Sequence, residues 1–177
     1  MSVIAVKKIT GGWQIAADSI ETWGSSFQRK QEKLMCIAEK QFAIGGTGTS
    51  ALNSLMYSFI TSRGIPANTL VTWLQFAKEF KQEANTFRFT MEDNSFIAVH
   101  YGFAWRINGL HVQQVEDYDA IGSGRDFALT ALYLGKSARE ACEITTKLCH
   151  TTRGPVHYFE TNCYGKEFKW NGGSNAY

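Results

Sequence analysis

Charge is scarce and balanced in this chain. Eighteen Lys and Arg face 16 Asp and Glu, for a formal net charge of +2, and no Lys/Arg block stands out. The electrostatic footprint of a nucleic-acid or membrane-surface binder is therefore missing. Long apolar runs are missing too, well short of the roughly 20 residues that span a bilayer. The N-terminus has no charged n-region followed by an apolar h-region, so no secretory signal is expected. The four cysteines, Cys36, Cys142, Cys149 and Cys163, show no CxxC or zinc spacing. Reduced thiols in a cytoplasmic protein are expected, and Cys142 and Cys149, seven apart on a predicted helix, read as core packing. His100, His111, His150 and His157 show no ligand spacing, and the first, second and fourth fall in predicted strands. No repeat, linker or low-complexity segment is visible.

What is present points to a packed domain. Hydrophobic residues make up 44% of the chain and aromatics 14%, which excludes a disordered chain. A chain of 177 residues hides about 70% of its unfolded surface, and one domain over residues 1–177 is expected. The polar tail, residues 171–177, reads as loose.

The pattern of apolar residues changes period along the chain. Ser2–Lys8 and Trp13–Ala17 read as strands around a Gly11-Gly12 turn. Glu21–Ser26 reads as a turn or loop. Lys33–Ala38 and Phe42–Ile44 follow as strands, and Gly45-Gly-Thr-Gly48 reads as a loop opening a helix. Helical spacing then runs from Ala51 to Ile60, with Thr49 or Ser50 placed to cap and Gly64 and Pro66 to stop it. A second helix runs from about Asn68 to Asn85. Phe89–Met91, Phe96–His100, Phe103–Ile107 and Leu110–Val115 read as strands, with Asn108-Gly109 a hairpin turn. Ile121-Gly-Ser-Gly124 precedes an apolar helix over 127–134. Ser137-x-x-Glu140 is a capping box opening another helix to about Cys149. Val156–Phe159 and Glu167–Trp170 read as a closing hairpin. Strands, two helices, strands, two helices, strands predict an α+β fold: a four-layer αββα sandwich of two antiparallel sheets, each flanked by a helix pair. Val3–Val6, a continuous apolar run, suits a strand covered on both faces.

The N-terminus carries the chemistry. Met followed by a small residue is usually trimmed, which would leave Ser2 first, with its hydroxyl and a free α-amine on one residue. An α-amine has an ordinary pKa of about 7.7–8.0, well placed for a general base, and a terminal hydroxyl residue activated by its own amine is a known nucleophile type.

Three local features accompany that terminus. A strand ends Ala16-Ala-Asp18-Ser19, Lys33 starts another strand twelve residues before the Gly45–Gly48 segment, and Ile121–Gly124 opens a helix. In this order the chain resembles the proteasome β-subunit family of N-terminal-nucleophile hydrolases over about residues 2–160, and within it the bacterial HslV-type peptidase of the two-component HslUV protease. The resemblance implies Ser2 as nucleophile, Asp18 and Lys33 as the acidic and basic pair beside it, and Ser123 as the hydroxyl near the terminal amine. Gly45 or Gly46 would supply the oxyanion-hole N–H. It implies stacked homo-oligomeric rings, polypeptide substrates and an ATP-dependent unfoldase partner, with no required cofactor. In the HslV type, the segment matching Cys149 and Thr152 can hold a monovalent cation through backbone carbonyls.

The chain departs from the family pattern in places. Serine replaces threonine at the terminus and lacks the β-methyl that fixes the rotamer. No propeptide precedes it beyond Met1. Cys149 replaces an aspartate of the archaeal and eukaryotic subunits, and Thr151 replaces an HslV-type tyrosine. A catalytically silent ring scaffold is the competing reading, and a stand-alone small-molecule amidase a third.

Overall fold

The computed structural model describes residues 2–23, 27–30, 32–92, 94–162 and 169–170. Met1, Cys163 and the tail 171–177 lie outside the described residues, as does part of the Glu21–Ser26 segment. The first sheet has the order β10-β1-β2-β11-β12. Its strands are β1 (Ile4–Ile9), β2 (Gly12–Ala17), β10 (Tyr118–Ile121), β11 (His157–Glu160) and β12 (Lys169–Trp170). The second has the order β5-β6-β7-β8-β9, from β5 (Leu34–Ile37), β6 (Phe42–Thr47), β7 (Ser95–His100), β8 (Phe103–Asn108) and β9 (His111–Gln114). All their pairings are antiparallel. A small ribbon pairs β3 (Ile20–Trp23) with β4 (Phe27–Lys30). The helices are α1 (Ser50–Arg63), α2 (Leu70–Thr86), α3 (Arg125–Tyr133) and α4 (Ala138–Leu148).

The period of two along a strand explains the layers. In β1 and the residue before it, Val3 and Ala5 join the cluster under α3 and α4, while Ile4 and Val6 join the cluster between the sheets. The continuous apolar run therefore feeds two cores at once, because successive side chains point to opposite faces. A third cluster packs α1 and α2 on the outer face of the second sheet, where Trp73 of α2 stacks on Trp105 of β8 with ring centroids 6.1 Å apart. Each such buried large side chain contributes about 1.5–3 kcal/mol. The layer order is α1/α2, sheet, sheet, α3/α4, as the alternation of periods predicts.

Helix ends follow local chemistry. Ser137 Oγ accepts from Glu140 N while the Glu140 carboxylate accepts from Ser137 N, the reciprocal capping box. Gly64, at φ +88°, stops α1 and donates to Ile60 O. Thr49 holds the N-cap position of α1 without a side-chain cap bond; instead its N–H donates to Asn94 Oδ1 at 3.3 Å.

Several expectations are corrected. Glu21–Trp23 belongs to a strand, not a loop, because Ile20–Trp23 finds a partner in β4. Gly45, Gly46 and Thr47 are the last residues of β6, held by pairing to β7 as far as Thr47↔Ser95. Phe89–Met91 forms no strand; Met91 is instead buried under the α1/α2 layer. Cys149 lies past the end of α4 as its C-cap, in extended conformation, so it shares no helix face with Cys142.

Candidate active site

The site forms where β1 begins. Ser2 is buried, with 6% of its surface exposed, and so are Asp18 (0%) and Lys33 (7%). Asp18 follows β2, whose register with β1 sets Ile4 opposite Ala17. That pairing carries the aspartate past the end of the ladder and back toward Val3. Its Oδ1 accepts from Val3 N at 2.9 Å and from Lys33 Nζ at 2.7 Å. One carboxylate oxygen thus ties the ammonium to the backbone one residue beyond Ser2. Oδ2 lies 3.5 Å from the Arg153 N–H. A buried ion pair of this kind is costly to desolvate and holds only when its hydrogen bonds are made, as they are here. Lys33, just before β5, is steadied through its own carbonyl, which accepts from Tyr57 Oη of α1 at 2.7 Å.

The loop from β10 to α3 closes the other side. Gly124, not Ser123, is the N-cap of α3, and the Ser123 hydroxyl is turned to Ser2. Ser2 N donates to Ser123 Oγ at 3.1 Å, and Gly124 N donates to Ser2 O at 3.1 Å. Gly122 is required by its backbone, at φ +95°, and by space.

Pairing of β6 to β5 ends at Leu34↔Gly45, while pairing to β7 continues to Thr47. Gly45 and Gly46 therefore sit where the second sheet opens beside the site. A side chain on Gly45 would meet Ile4 Cδ1 at 2.9 Å and one on Gly46 would meet Asn53 Oδ1 at 2.3 Å. A Cβ at Gly45 would require Leu34 or Ile4 to shift at its tip, and one at Gly46 would run into the Phe96 ring at 2.6 Å.

Of the expected residues, Ser2, Asp18, Lys33 and Ser123 meet at one place, and Gly45 and Gly46 open beside it. Three participants had no role assigned from sequence: Gly122, Thr151 and Arg153. Gly122 stands inside the Gly-Ser-Gly motif. Thr151 is marked only by replacing an expected tyrosine. Arg153 carried no signal.

Cys149 and Thr152 lie beside the site, and their carbonyls already have a positively charged partner. Cys149 O and Thr152 O both accept from Arg153 Nη1, at 3.5 and 3.0 Å. The Arg153 guanidinium thus occupies part of the acceptor capacity of both carbonyls, and no step below uses a cation. Among the described residues, no group of three His, Cys, Asp or Glu could hold a metal ion.

Two thiols, Cys36 and Cys142, are shut away from solvent. Burial, aided by the Glu32 charge, pushes the Cys36 thiol far above its ordinary range, and burial beside the Asp18 charge does the same for Cys142.

No protein-family model and no curated protein matches the chain. Solved structures do. BPH from Thiobacillus denitrificans, in complex with epoxomicin, superposes with a TM-score of 0.82 at 15% identity, over 91% of this chain and 98% of that one. HslV from Trypanosoma brucei gives 0.72 at 23% identity, over 90% and 99%. A Gly-1 mutant of Anbu from Hyphomicrobium sp. strain MC1 gives 0.75 at 13%, over 99% and 89%. At these identities the likeness shows the fold: the chain shares with these structures a four-layer sandwich of two antiparallel sheets between helix pairs. Anbu from Yersinia bercovieri, named as an ancestral β-subunit, shares the fold as well, with a TM-score of 0.73 at 12% identity over 90% of this chain and 82% of that one. No described helix is long and apolar enough to cross a membrane.

Proposed function

We propose that the chain is a peptidase subunit whose nucleophile is the Ser2 hydroxyl, activated by the Ser2 α-amine once Met1 is removed. The observation that carries this reading is the convergence on one residue: Ser123 Oγ on Ser2 N, and the Lys33–Asp18 pair on the next peptide N–H. The hydroxyl attacks a peptide carbonyl and its proton passes to the amine. The Lys33 ammonium disfavours a second positive charge nearby and so keeps the amine a free base. Asp18 holds that ammonium in place. The backbone N–H of Gly45 or Gly46 receives the oxyanion, a contribution of about 10²–10³-fold in comparable sites. The amine then protonates the departing nitrogen, leaving an ester on Ser2, and water activated by the same amine hydrolyses it.

A nucleophile at a chain end calls for shielding from folded bystanders. Assembly of copies into stacked rings with Ser2 facing an inner chamber, in the cytoplasm, fed with polypeptide by an ATP-driven unfoldase, belongs to this reading. The fold likeness to a protein named as a β-subunit supports it.

Intact mass before and after a peptide vinyl sulfone tests the proposal. A chain lighter by one methionine that gains one adduct, with no adduct on Ser2→Ala, is expected. A chain that begins at Ser2 and takes no adduct overturns it in favour of the ring scaffold. Sedimentation velocity tests assembly separately.

A further inference from the structure

The hydroxyl on which Ser2 N rests has a second and shorter bond. Ser123 Oγ lies 3.1 Å from Ser2 N, 3.4 Å from Ser2 O and 2.8 Å from Thr151 Oγ1. A hydroxyl has one hydrogen and two acceptor lone pairs. The contact to Thr151 has the ordinary O–H···O length, whereas the one to the Ser2 carbonyl lies beyond it. The Ser123 hydrogen is therefore best placed on Thr151, which turns the lone pairs of Ser123 to the Ser2 nitrogen. Thr151 Oγ1 in turn lies 3.0 Å from Cys149 Sγ, so its own hydrogen has an acceptor. Three side chains run in line from the nitrogen at the start of β1 to the C-cap of α4.

We propose that Thr151 is a positioning residue for the Ser2 amine: by taking the hydroxyl hydrogen of Ser123, it holds Ser123 as an acceptor toward that nitrogen. This rests on the reading of Ser2 as the nucleophile. When the amine takes up the hydroxyl proton it becomes an ammonium, and an acceptor already in place stabilises the new charge without reorganisation. Among the described residues, the titratable and charged groups bonded around Ser2 and Thr151 are Asp18 after β2, Lys33 before β5, and Cys149 and Arg153 after α4. Asp18 and Lys33 bond each other, and the Arg153 guanidinium is turned to the Cys149 and Thr152 carbonyls. Thr151 sets the direction of the Ser123 hydroxyl, and that direction decides how readily the amine holds a proton.

The test compares wild type, Thr151→Val and Thr151→Ser, each beginning at Ser2. Valine keeps the shape of threonine and removes only the hydroxyl, at a half-buried position. Competitive acetylation by acetic anhydride across about pH 5 to 9, which brackets the ordinary range of an α-amine, titrates the amine without needing catalysis. The N-terminal peptide is quantified by mass spectrometry. The amine of Thr151→Val is expected to titrate lower by about half a pH unit, the size of one net hydrogen bond, with Thr151→Ser matching wild type. Labelling by a peptide vinyl sulfone is the second readout. In Thr151→Val its acid limb moves to lower pH and its plateau falls about 3- to 10-fold, and serine restores both. Identical titration and labelling curves in wild type and Thr151→Val overturn the inference while leaving the nucleophile intact. The expected titration shift without any adduct on wild type upholds the positioning and overturns the nucleophile. If Thr151→Val does not fold, Thr151→Ala carries the same comparison.

Discussion

Gly122 stands against Ser2: a Cβ added to Gly122 would lie 2.3 Å from the Ser2 carbonyl oxygen and 2.8 Å from its carbon. Its φ of +95° is also one that side chains rarely adopt. Gly122→Ala is expected to cost the backbone strain, about 1–3 kcal/mol, and to push Ser2 out of line with Ser123. Gly109→Ala is the control, with φ +61° but open space around it. Urea denaturation should show both variants destabilised. Only Gly122→Ala should lose vinyl sulfone labelling in its folded fraction.

Asp18 and Lys33 form a buried pair, so removing one half leaves the other charge alone. Asp18→Asn keeps an oxygen for Val3 N and removes only the charge. It is expected to destabilise the chain by about 3–5 kcal/mol. In the double variant Asp18→Asn with Lys33→Met, much of that loss returns, because no isolated charge remains. Neither variant should be labelled at Ser2. Equal stability of the single and double variants in urea would argue against a coupled pair.

Cys36 and Cys142 are held protonated by burial. In the unfolded chain they ionise near the ordinary thiol value of about 8.5. Their raised folded values mean that the folded state binds more protons above that pH. The stability they contribute is complete below about pH 8.5 and declines as pH rises beyond it. The slope reaches about 2.7 kcal/mol per pH unit for the two thiols together. Denaturation midpoints measured from neutral pH upward check this. Native-state alkylation near pH 8 should leave both thiols unmodified.

Arg153 caps the Cys149 and Thr152 carbonyls with its own positive charge. Exchanging sodium for potassium at constant ionic strength should leave the wild-type melting temperature unchanged. Arg153→Met removes the guanidinium and exposes the carbonyls. The variant is expected to melt lower than wild type and to gain stability when either cation is added. A wild-type melting point that depends on the identity of the cation would show that the guanidinium does not fill the place.

Much of the layer order was legible because period is a local property. Val3–Val6, the α2 stripe around Trp73 and the Ser137–Glu140 capping box all carry their meaning within a few residues. The ends of elements were less legible. Gly45 and Gly46 look like a loop in one dimension and are strand residues because β7 pairs with them. Phe89–Met91 has the composition of a strand but no partner, and Met91 is buried in another way. The gathering of Asp18, Lys33 and Ser123 around Ser2 and Val3 was legible from short sequence motifs. Thr151 was not, since its part depends on a hydroxyl 28 positions away in sequence and 2.8 Å away in space. Arg153 likewise acts through carbonyls that have no sequence signature.

Segments outside helices and strands are ordinarily the first to lose order. Here β1 starts at Ile4 and lies between β2 and β10, with ladders on both of its edges. Ser2 stands two residues before that strand, and its carbonyl accepts from Gly124 N across the β10–α3 loop. Displacing Ser2 pulls on a strand paired along both edges, so a disturbance there is shared with the sheet instead of being absorbed by a slack segment.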